Sequence, residues 1–260
     1  MLNEIPAKAH MSDKSIIHEY VSPEIKKIGP WAYSGCSNMT DIHIGADCEV
    51  ENTAFKGCDE LSYINLYSVD DSSYVNHINV SPYLLALSIK AWPKETSSLV
   101  RSASDNAAFM CQFDGRMINY LKEPNETGFV PFLAGGEEDY DDNDAALLRF
   151  SESVLRLKLL MIYERILISR SDPENLSVQE TVYASYLRFI RENNPDPAFT
   201  VLTEAKEHRL EFADLYFELG LNKEASNEEL LKLASSDTSL RALILVNTKD
   251  RGRNLNTLNL

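Results

Sequence analysis

Two segments of the chain carry the same order of apolar and polar residues, 22 positions apart. The first reads AYSGCSNMTDIHI over residues 32–44, and the second reads AFKGCDELSYINL over residues 54–66. Each ends on apolar positions that alternate with polar ones. Because side chains alternate between the two faces of a strand, each ending predicts a short strand with one buried face. A fixed period of 20–29 residues is typical of proteins in which one short repeat stacks on the next.

The two copies agree at eight positions in a single register. Glycine suits the corner before the strand because it tolerates unusual backbone angles, and cysteine is a small residue that is often buried. Stacking the copies therefore predicts that each residue lies beside its partner. The matched pairs are Ile28 with Val50, Ala32 with Ala54, Tyr33 with Phe55, Gly35 with Gly57, Cys36 with Cys58, Met39 with Leu61, Ile42 with Ile64 and Ile44 with Leu66.

The segment IKKIGPWAYSGCSNMTDIHI resembles the bacterial BspA-like class of leucine-rich repeats, whose pattern is I-x-x-I-x-x-x-A-F-x-G-C-x-x-L-x-x-I-x-I. The second copy fits the pattern from Val50 to Leu66 and departs from it where Asp47 and Cys48 replace the first isoleucine. The resemblance covers about residues 21–68. It implies a short solenoid, in which residues 75–93 form a decayed third coil without the A-F-x-G-C corner.

From about residue 100 the spacing of apolar residues becomes helical. The segment DAALLRFSESVLRLKLLMIYERILI predicts one largely buried helix. Local start and stop signals divide the remaining chain into short helices, which we expect to pack as antiparallel neighbours. These signals are the capping boxes Ser177–Glu180 and Ser226–Glu229, the Asp196–Pro197 start, the terminal Gly220, and the N-cap residue Asp237.

The predicted fold class is α+β: a short leucine-rich-repeat solenoid, with two clear coils and a decayed third, followed by an α-helical domain. Segment AFMCQFDGRMINYL, residues 108–121, fits either a hairpin turning at Asp114-Gly115 or two helices broken at Gly115. The predicted parts are an N-terminal cap at 1–20, the repeat segment at 21–98, a transition with an acidic loop at 99–144, a helical domain at 145–250, and a frayed tail at 251–260.

The net charge of the chain argues against two classes of binding partner. The 260 residues carry a formal net charge of −15, which argues against binding to nucleic acids and to anionic membrane surfaces. The chain contains neither a signal-like apolar run near its start nor a stretch of about 18 apolar residues. A cytoplasmic protein is the default expectation, and a secreted protein whose leader had been removed would look the same.

The sequence offers no motif for catalysis, cofactor binding or metal binding. Neither CxxC, HExxH, G-x-S-x-G, a P-loop nor G-x-G-x-x-G occurs. In the acidic run at 137–144, an EF-hand loop starting at Asp139 would place Asp144 and Phe150 where glycine and glutamate are required. We therefore expect a solvated linker there, structural roles for Cys36 and Cys58, and neither a cofactor nor a metal.

The candidate site is a surface on the predicted strands. Alternation turns Asp41, His43, Tyr63 and Asn65 away from the core, onto the face where repeat proteins usually bind partners; a plain solvated face is the alternative. The sequence thus favours a non-enzymatic module that binds a protein or peptide through the strand face or the groove to the helical domain. The alternatives are an enzyme or effector acting through its helical half, and an acidic protein that occupies a basic partner. Self-association could cover an exposed end of the solenoid.

Overall fold

Within the part of the chain that the structure describes, the strands are short and lie between residues 4 and 77. The computed structural model describes residues 3–69, 75–130, 139–193, 209–221 and 227–254. Its strands are β1 (Glu4–Ile5), β2 (His18–Tyr20), β3 (Lys27–Ile28), β4 (Asp41–Gly45), β5 (Glu49–Val50), β6 (Tyr63–Val69) and β7 (Val75–His77). Its α-helices are α1 (Pro82–Ala91), α2 (Thr96–Ser102), α3 (Asn106–Tyr120), α4 (Asp139–Ser171), α5 (Glu180–Glu192), α6 (Arg209–Glu218), α7 (Asn227–Leu233) and α8 (Thr238–Asn254), with a 3-10 turn at Pro93–Glu95.

The strands form two small sheets. One has the order β1-β3-β5 and the other β2-β4-β6-β7. All pairs are parallel except β6 with β7, which run antiparallel. The predicted pairing of Ile42 with Ile64 is confirmed, because β4 and β6 pair in a register of 22 residues.

The predicted fold class is wrong. The described residues form a mixed α/β arrangement of two small sheets and helices, and not a leucine-rich-repeat solenoid followed by an α-helical domain. Parallel addition of strands stops at β6, since β7 turns back antiparallel. The residues expected to form a decayed third coil instead form helix α1, where Pro82 occupies the first turn and the Ser81 hydroxyl accepts the Leu84 N–H at 3.1 Å.

The chain divides into two compact units. The first comprises Met1–Met117 with Ser171–Ser177. Helix α1 packs on β6 and helix α2 on β5. Three rings stack through the corners of this unit: His10 lies 5.0 Å from Tyr33, which lies 5.9 Å from Phe55, between ring centroids. The completely buried core includes Ile28, Ala32, Tyr33, Cys36, Met39, Ile42, Ile44, Ala54, Ile64, Leu84 and Leu85.

The second unit comprises Ile118–Arg170 with Val178–Leu260 and is helical where it is described. Helices α6 and α8 pack together. Buried aromatic side chains fill much of the interior, with Tyr163 lying 5.4 Å from Phe212 between ring centroids. Among the described residues of the whole chain, no helix has both the length and the apolar character that crossing a bilayer requires.

Some of the predicted helix ends are confirmed. The Asp237 carboxylate accepts the Leu240 N–H at 2.9 Å, and Gly220 has a positive φ of 70°. The capping box at Ser177–Glu180 is wrong, since Gln179 precedes α5 and makes no capping bond with its side chain. Asp196, Pro197 and Ser226 lie outside the described residues. Helix α3 continues through Asp114 and Gly115, so both a hairpin and a pair of broken helices are wrong there.

Candidate functional site

The four predicted site residues lie together on one face of the larger sheet. Asp41 pairs in register with Tyr63, and His43 pairs with Asn65. All four are half-buried, whereas the alternating residues Ile42, Ile44, Ile64 and Leu66 are buried. The alternation of side chains along β4 and β6 thus separates a core face from an outward polar face, as expected for neighbouring strands.

Further polar and aromatic residues that the sequence reasoning missed extend this surface. Strand β2 places His18 beside Asp41 and Tyr20 beside His43. Its short sequence, HEY, contains no apolar alternation that would have marked it as a strand. We call the outward surface the strand face; it consists of His18, Tyr20, Asp41, His43, Tyr63, Asn65, His77 and Tyr83.

Asp41 is the centre of the polar contacts on the strand face. One of its carboxylate oxygens, Oδ2, contacts His18 Nδ1 and accepts a hydrogen bond of 2.9 Å from the Thr40 hydroxyl. The other oxygen, Oδ1, lies 3.9 Å from His43 Nε2. The side chain of Asp41 is 22% exposed, compared with 72% for His18. The carboxylate is therefore held in place by its neighbours while one side remains open to water.

Aromatic residues lie on the strands beside Asp41, with Tyr63 directly opposite it on β6. Tyr20 is 53% exposed and stacks on Tyr67 with centroids 5.2 Å apart. Its ring also lies 5.8 Å from that of His43, and Tyr63 lies 5.8 Å from Tyr83. Tyr67 is buried beneath Tyr20 and donates its hydroxyl hydrogen to the carbonyl of Val21. Burial raises the pKa of Tyr67, so its phenol stays protonated and Tyr20 rests on a neutral ring.

His77 extends the cluster of histidines. Its ring meets that of His43 edge to face at 6.4 Å, and its side chain is exposed. The Nδ1 atom of His43 is buried and has no hydrogen-bond partner. Three of the five histidines of the chain are thus gathered on the strand face.

The buried cysteines have surroundings that suit structural roles. Cys36 donates to the carbonyl of His10 at 3.0 Å, and Cys58 donates to that of Tyr33 at 3.1 Å. Burial raises the pKa of Cys58 to about 12 and that of Cys48 to about 11. Because the thiolate is the nucleophilic form, these two thiols are unsuited to nucleophilic catalysis at neutral pH.

Within the described residues, no group of three or more His, Cys, Asp or Glu side chains is arranged to hold a metal. In the acidic run, residues 137–138 lie outside the described residues. Residues 139–144 belong to helix α4, so the solvated linker expected over this run is wrong for that part. A cavity of about 350 Å³ opens beside Lys26, Asp47 and Tyr67. Its two charged groups neutralise each other, with Lys26 Nζ 2.5 Å from Asp47 Oδ2.

No protein-family model matches the sequence, and the comparisons with curated proteins and with solved structures also found no match. The resemblance to BspA-like repeats and the expected self-association therefore stay predictions. The function of the strand face has to be inferred from its own residues.

Proposed function

We propose that this protein is a non-enzymatic interaction module that binds an extended protein segment carrying lysine or arginine side chains. The strand face would form the binding surface. The observation that supports this proposal most directly is that His18 and His43 contact or approach the carboxylate of Asp41, with the exposed ring of Tyr20 beside His43.

The rings of the strand face suit recognition of a polypeptide. Tyrosine is enriched in protein interfaces because it buries a large area and loses few rotamers on binding. Tyr20 already stacks on Tyr67, and Tyr63 packs against Tyr83. Rings that are positioned before binding cost less conformational entropy when a partner arrives, which strengthens binding.

The charge on the strand face favours a cationic partner. Asp41 is the one carboxylate among the residues of the strand face, and no lysine or arginine belongs to that set. A guanidinium or ammonium group would donate a charge-assisted hydrogen bond to Asp41 and would be attracted to the faces of the nearby rings. The net charge of −15 would accelerate the approach of such a partner.

A peptide-binding measurement tests this proposal. Wild-type protein is titrated against two extended peptides of equal length, one with arginine at alternate positions and one with glutamine in their place. Asp41→Asn is compared with Glu49→Gln, which removes one negative charge from an exposed position on β5 of the other sheet. We expect Asp41→Asn to weaken binding of the arginine peptide by about ten- to a hundredfold, since a charge-assisted hydrogen bond contributes about 1.5–3 kcal/mol.

The matched variant Glu49→Gln should bind nearly as tightly as the wild type. A second variant, Tyr63→Ser, removes an aromatic ring and leaves the charge unchanged; it should also weaken binding. Equal affinity for the arginine and glutamine peptides, or equal losses in Asp41→Asn and Glu49→Gln, would contradict the proposal.

A further inference from the structure

We infer that acid releases the cationic partner from the strand face, with His18, His43 and His77 as the proton-binding groups. This inference rests on the proposed function and concerns the regulation of the same surface. Histidine is the side chain that ordinarily changes its charge between pH 5 and 8, so a cluster of histidines beside a binding carboxylate makes the binding depend on pH in that range.

The geometry brings two imidazoles to the one carboxylate. His18 Nδ1 contacts Asp41 Oδ2, and His43 Nε2 lies 3.9 Å from Asp41 Oδ1. A proton on either ring creates an ion pair with Asp41 inside the protein. That internal ion pair neutralises the carboxylate charge that would otherwise attract a lysine or arginine of the partner. Protons and the partner therefore compete for Asp41.

No other charged group on the described part of the strand face offsets this change. With neutral imidazoles, the face carries the one carboxylate and a formal charge of −1. When all three rings are protonated, the same face carries a formal charge of +2. The titratable groups facing the cluster are His18 and Tyr20 from β2, Asp41 and His43 from β4, Tyr63 and Tyr67 from β6, His77 from β7 and Tyr83 from α1.

Protonation also changes the hydrogen bonding of His43. Its Nδ1 atom is buried without a partner, and a fully protonated imidazole carries a hydrogen on both ring nitrogens. An N–H group buried without an acceptor is unfavourable, so the charged ring is favoured in a new position. His43 contacts the rings of Tyr20 and His77. Its movement would therefore also disturb the aromatic surface on which the partner lies.

The direction of the effect follows from linkage. If the free protein binds more protons than the complex does, the affinity for the partner falls as the pH falls. The affinity falls by about tenfold per pH unit for each proton that the protein takes up when the partner is released. The same relation requires that binding of the partner expels protons at a pH within the range in which the histidines titrate. Both quantities are measurable, the first by affinity and the second by the dependence of the binding heat on the buffer.

The experiment uses the full chain and the alternating arginine peptide as the probe, at constant ionic strength, at pH 7.5 and pH 5.5. Wild-type protein is compared with His18→Gln/His43→Gln/His77→Gln and with the single variant His18→Gln. His10→Gln is the matched control, because the His10 ring stacks on Tyr33 away from the strand face. Circular dichroism at both pH values establishes that each variant is folded.

We expect the wild type and His10→Gln to lose at least about tenfold in affinity between the two pH values, and the triple variant to change by less than about twofold. His18→Gln should fall between them. Binding by the wild type that is unchanged at pH 5.5, or a loss of affinity that persists in the triple variant, would overturn the inference while leaving the proposed function standing. Absence of binding at both pH values would overturn the proposed function and the inference together.

Discussion

Ile42 and Ile64 lie side by side in register on β4 and β6, and both side chains are completely buried. Both side chains belong to the core of the first compact unit, so their packing should contribute strongly to the stability of that unit. Truncating Ile64 to alanine is expected to lower the free energy of unfolding by about 2–5 kcal/mol, and truncating it to valine by about 0.5–1.5 kcal/mol.

Urea unfolding of both variants tests this prediction. Asn65→Ala is the matched control, because Asn65 follows Ile64 in the same strand but belongs to the outward face. Its effect should stay within about 0.5 kcal/mol. If Ile64→Ala were no more damaging than Asn65→Ala, Ile64 would not occupy the core.

Replacing glycine by alanine should have opposite effects on the stability of the protein at Gly57, in a corner, and at Gly115, inside a helix. Gly57 has a φ of +75°, and a Cβ added there would lie 3.7 Å from the nearest atom, so the cost arises from the backbone. Gly57→Ala should destabilise the protein by about 1–2 kcal/mol. Gly115 lies inside α3 with open space around it, so Gly115→Ala should stabilise by about 0.5–1 kcal/mol. Thermal unfolding that shifts in the same direction for both would refute this contrast.

The four cysteines should differ sharply in reactivity. Cys36, Cys48 and Cys58 are buried, whereas Cys111 is exposed, and all four are free thiols. A colorimetric thiol reagent at neutral pH should therefore modify one thiol rapidly in the native protein and four after denaturation. Cys111→Ser should abolish the rapid phase; if the rapid phase remained in that variant, one of the three buried positions would have to be accessible.

Stability should decrease in alkaline solution because of Cys58. The pKa of its thiol is raised to about 12 in the folded protein, chiefly by burial, from an ordinary value of 9.0. Between these values the unfolded chain loses the proton more readily than the folded protein, so rising pH favours unfolding. The free energy of unfolding should fall by up to about 1.4 kcal/mol per pH unit for this group.

Urea unfolding at pH 8 and pH 10 measures this slope. Cys58→Ala should be less stable than the wild type at pH 8 but should lose less stability on going to pH 10. Equal slopes in the two proteins would show that Cys58 contributes nothing to the alkaline decrease.

We expect the buried side chain of Lys158 to stabilise the loop that follows α3. Lys158 is completely buried and donates to the Glu123 carbonyl at 2.7 Å and to Asn125 Oδ1 at 2.8 Å. Lys158→Met keeps most of the side-chain volume but leaves both acceptors unpaired, which should cost about 1–3 kcal/mol. Hydrogen exchange of the amides in residues 121–128 should accelerate most. The exposed Lys122 provides the control, since Lys122→Met should leave stability nearly unchanged.

The repeat in the sequence predicted the pairing of β4 with β6 because a fixed period and alternating side chains together determine which residues are neighbours. It did not predict the fold class, because the apolar residues Leu84–Ile89 suit either a further coil or a helix. In the structure these residues form a helix, at whose start the Ser81 hydroxyl accepts the Leu84 N–H. Strand β7, which precedes the helix, pairs antiparallel with β6 and does not open a further coil. Similarly, the edge strand β2 has little apolar pattern, so His18 and Tyr20 escaped notice. Asp237 was predicted correctly because a cap depends on a few neighbouring residues.

The stacked rings of His10, Tyr33 and Phe55 constrain how the length of this chain can change during evolution. The interval of 22 residues that places Tyr33 beside Phe55 also aligns Ile42 with Ile64, and the second corner directs the Cys58 thiol to the carbonyl of Tyr33. One residue inserted between a corner and its strand would reverse the faces of every side chain that follows in that strand. A single insertion would therefore disrupt both the packing of the core residues and the arrangement of the binding surface. Homologous chains should keep these intervals and vary in length elsewhere.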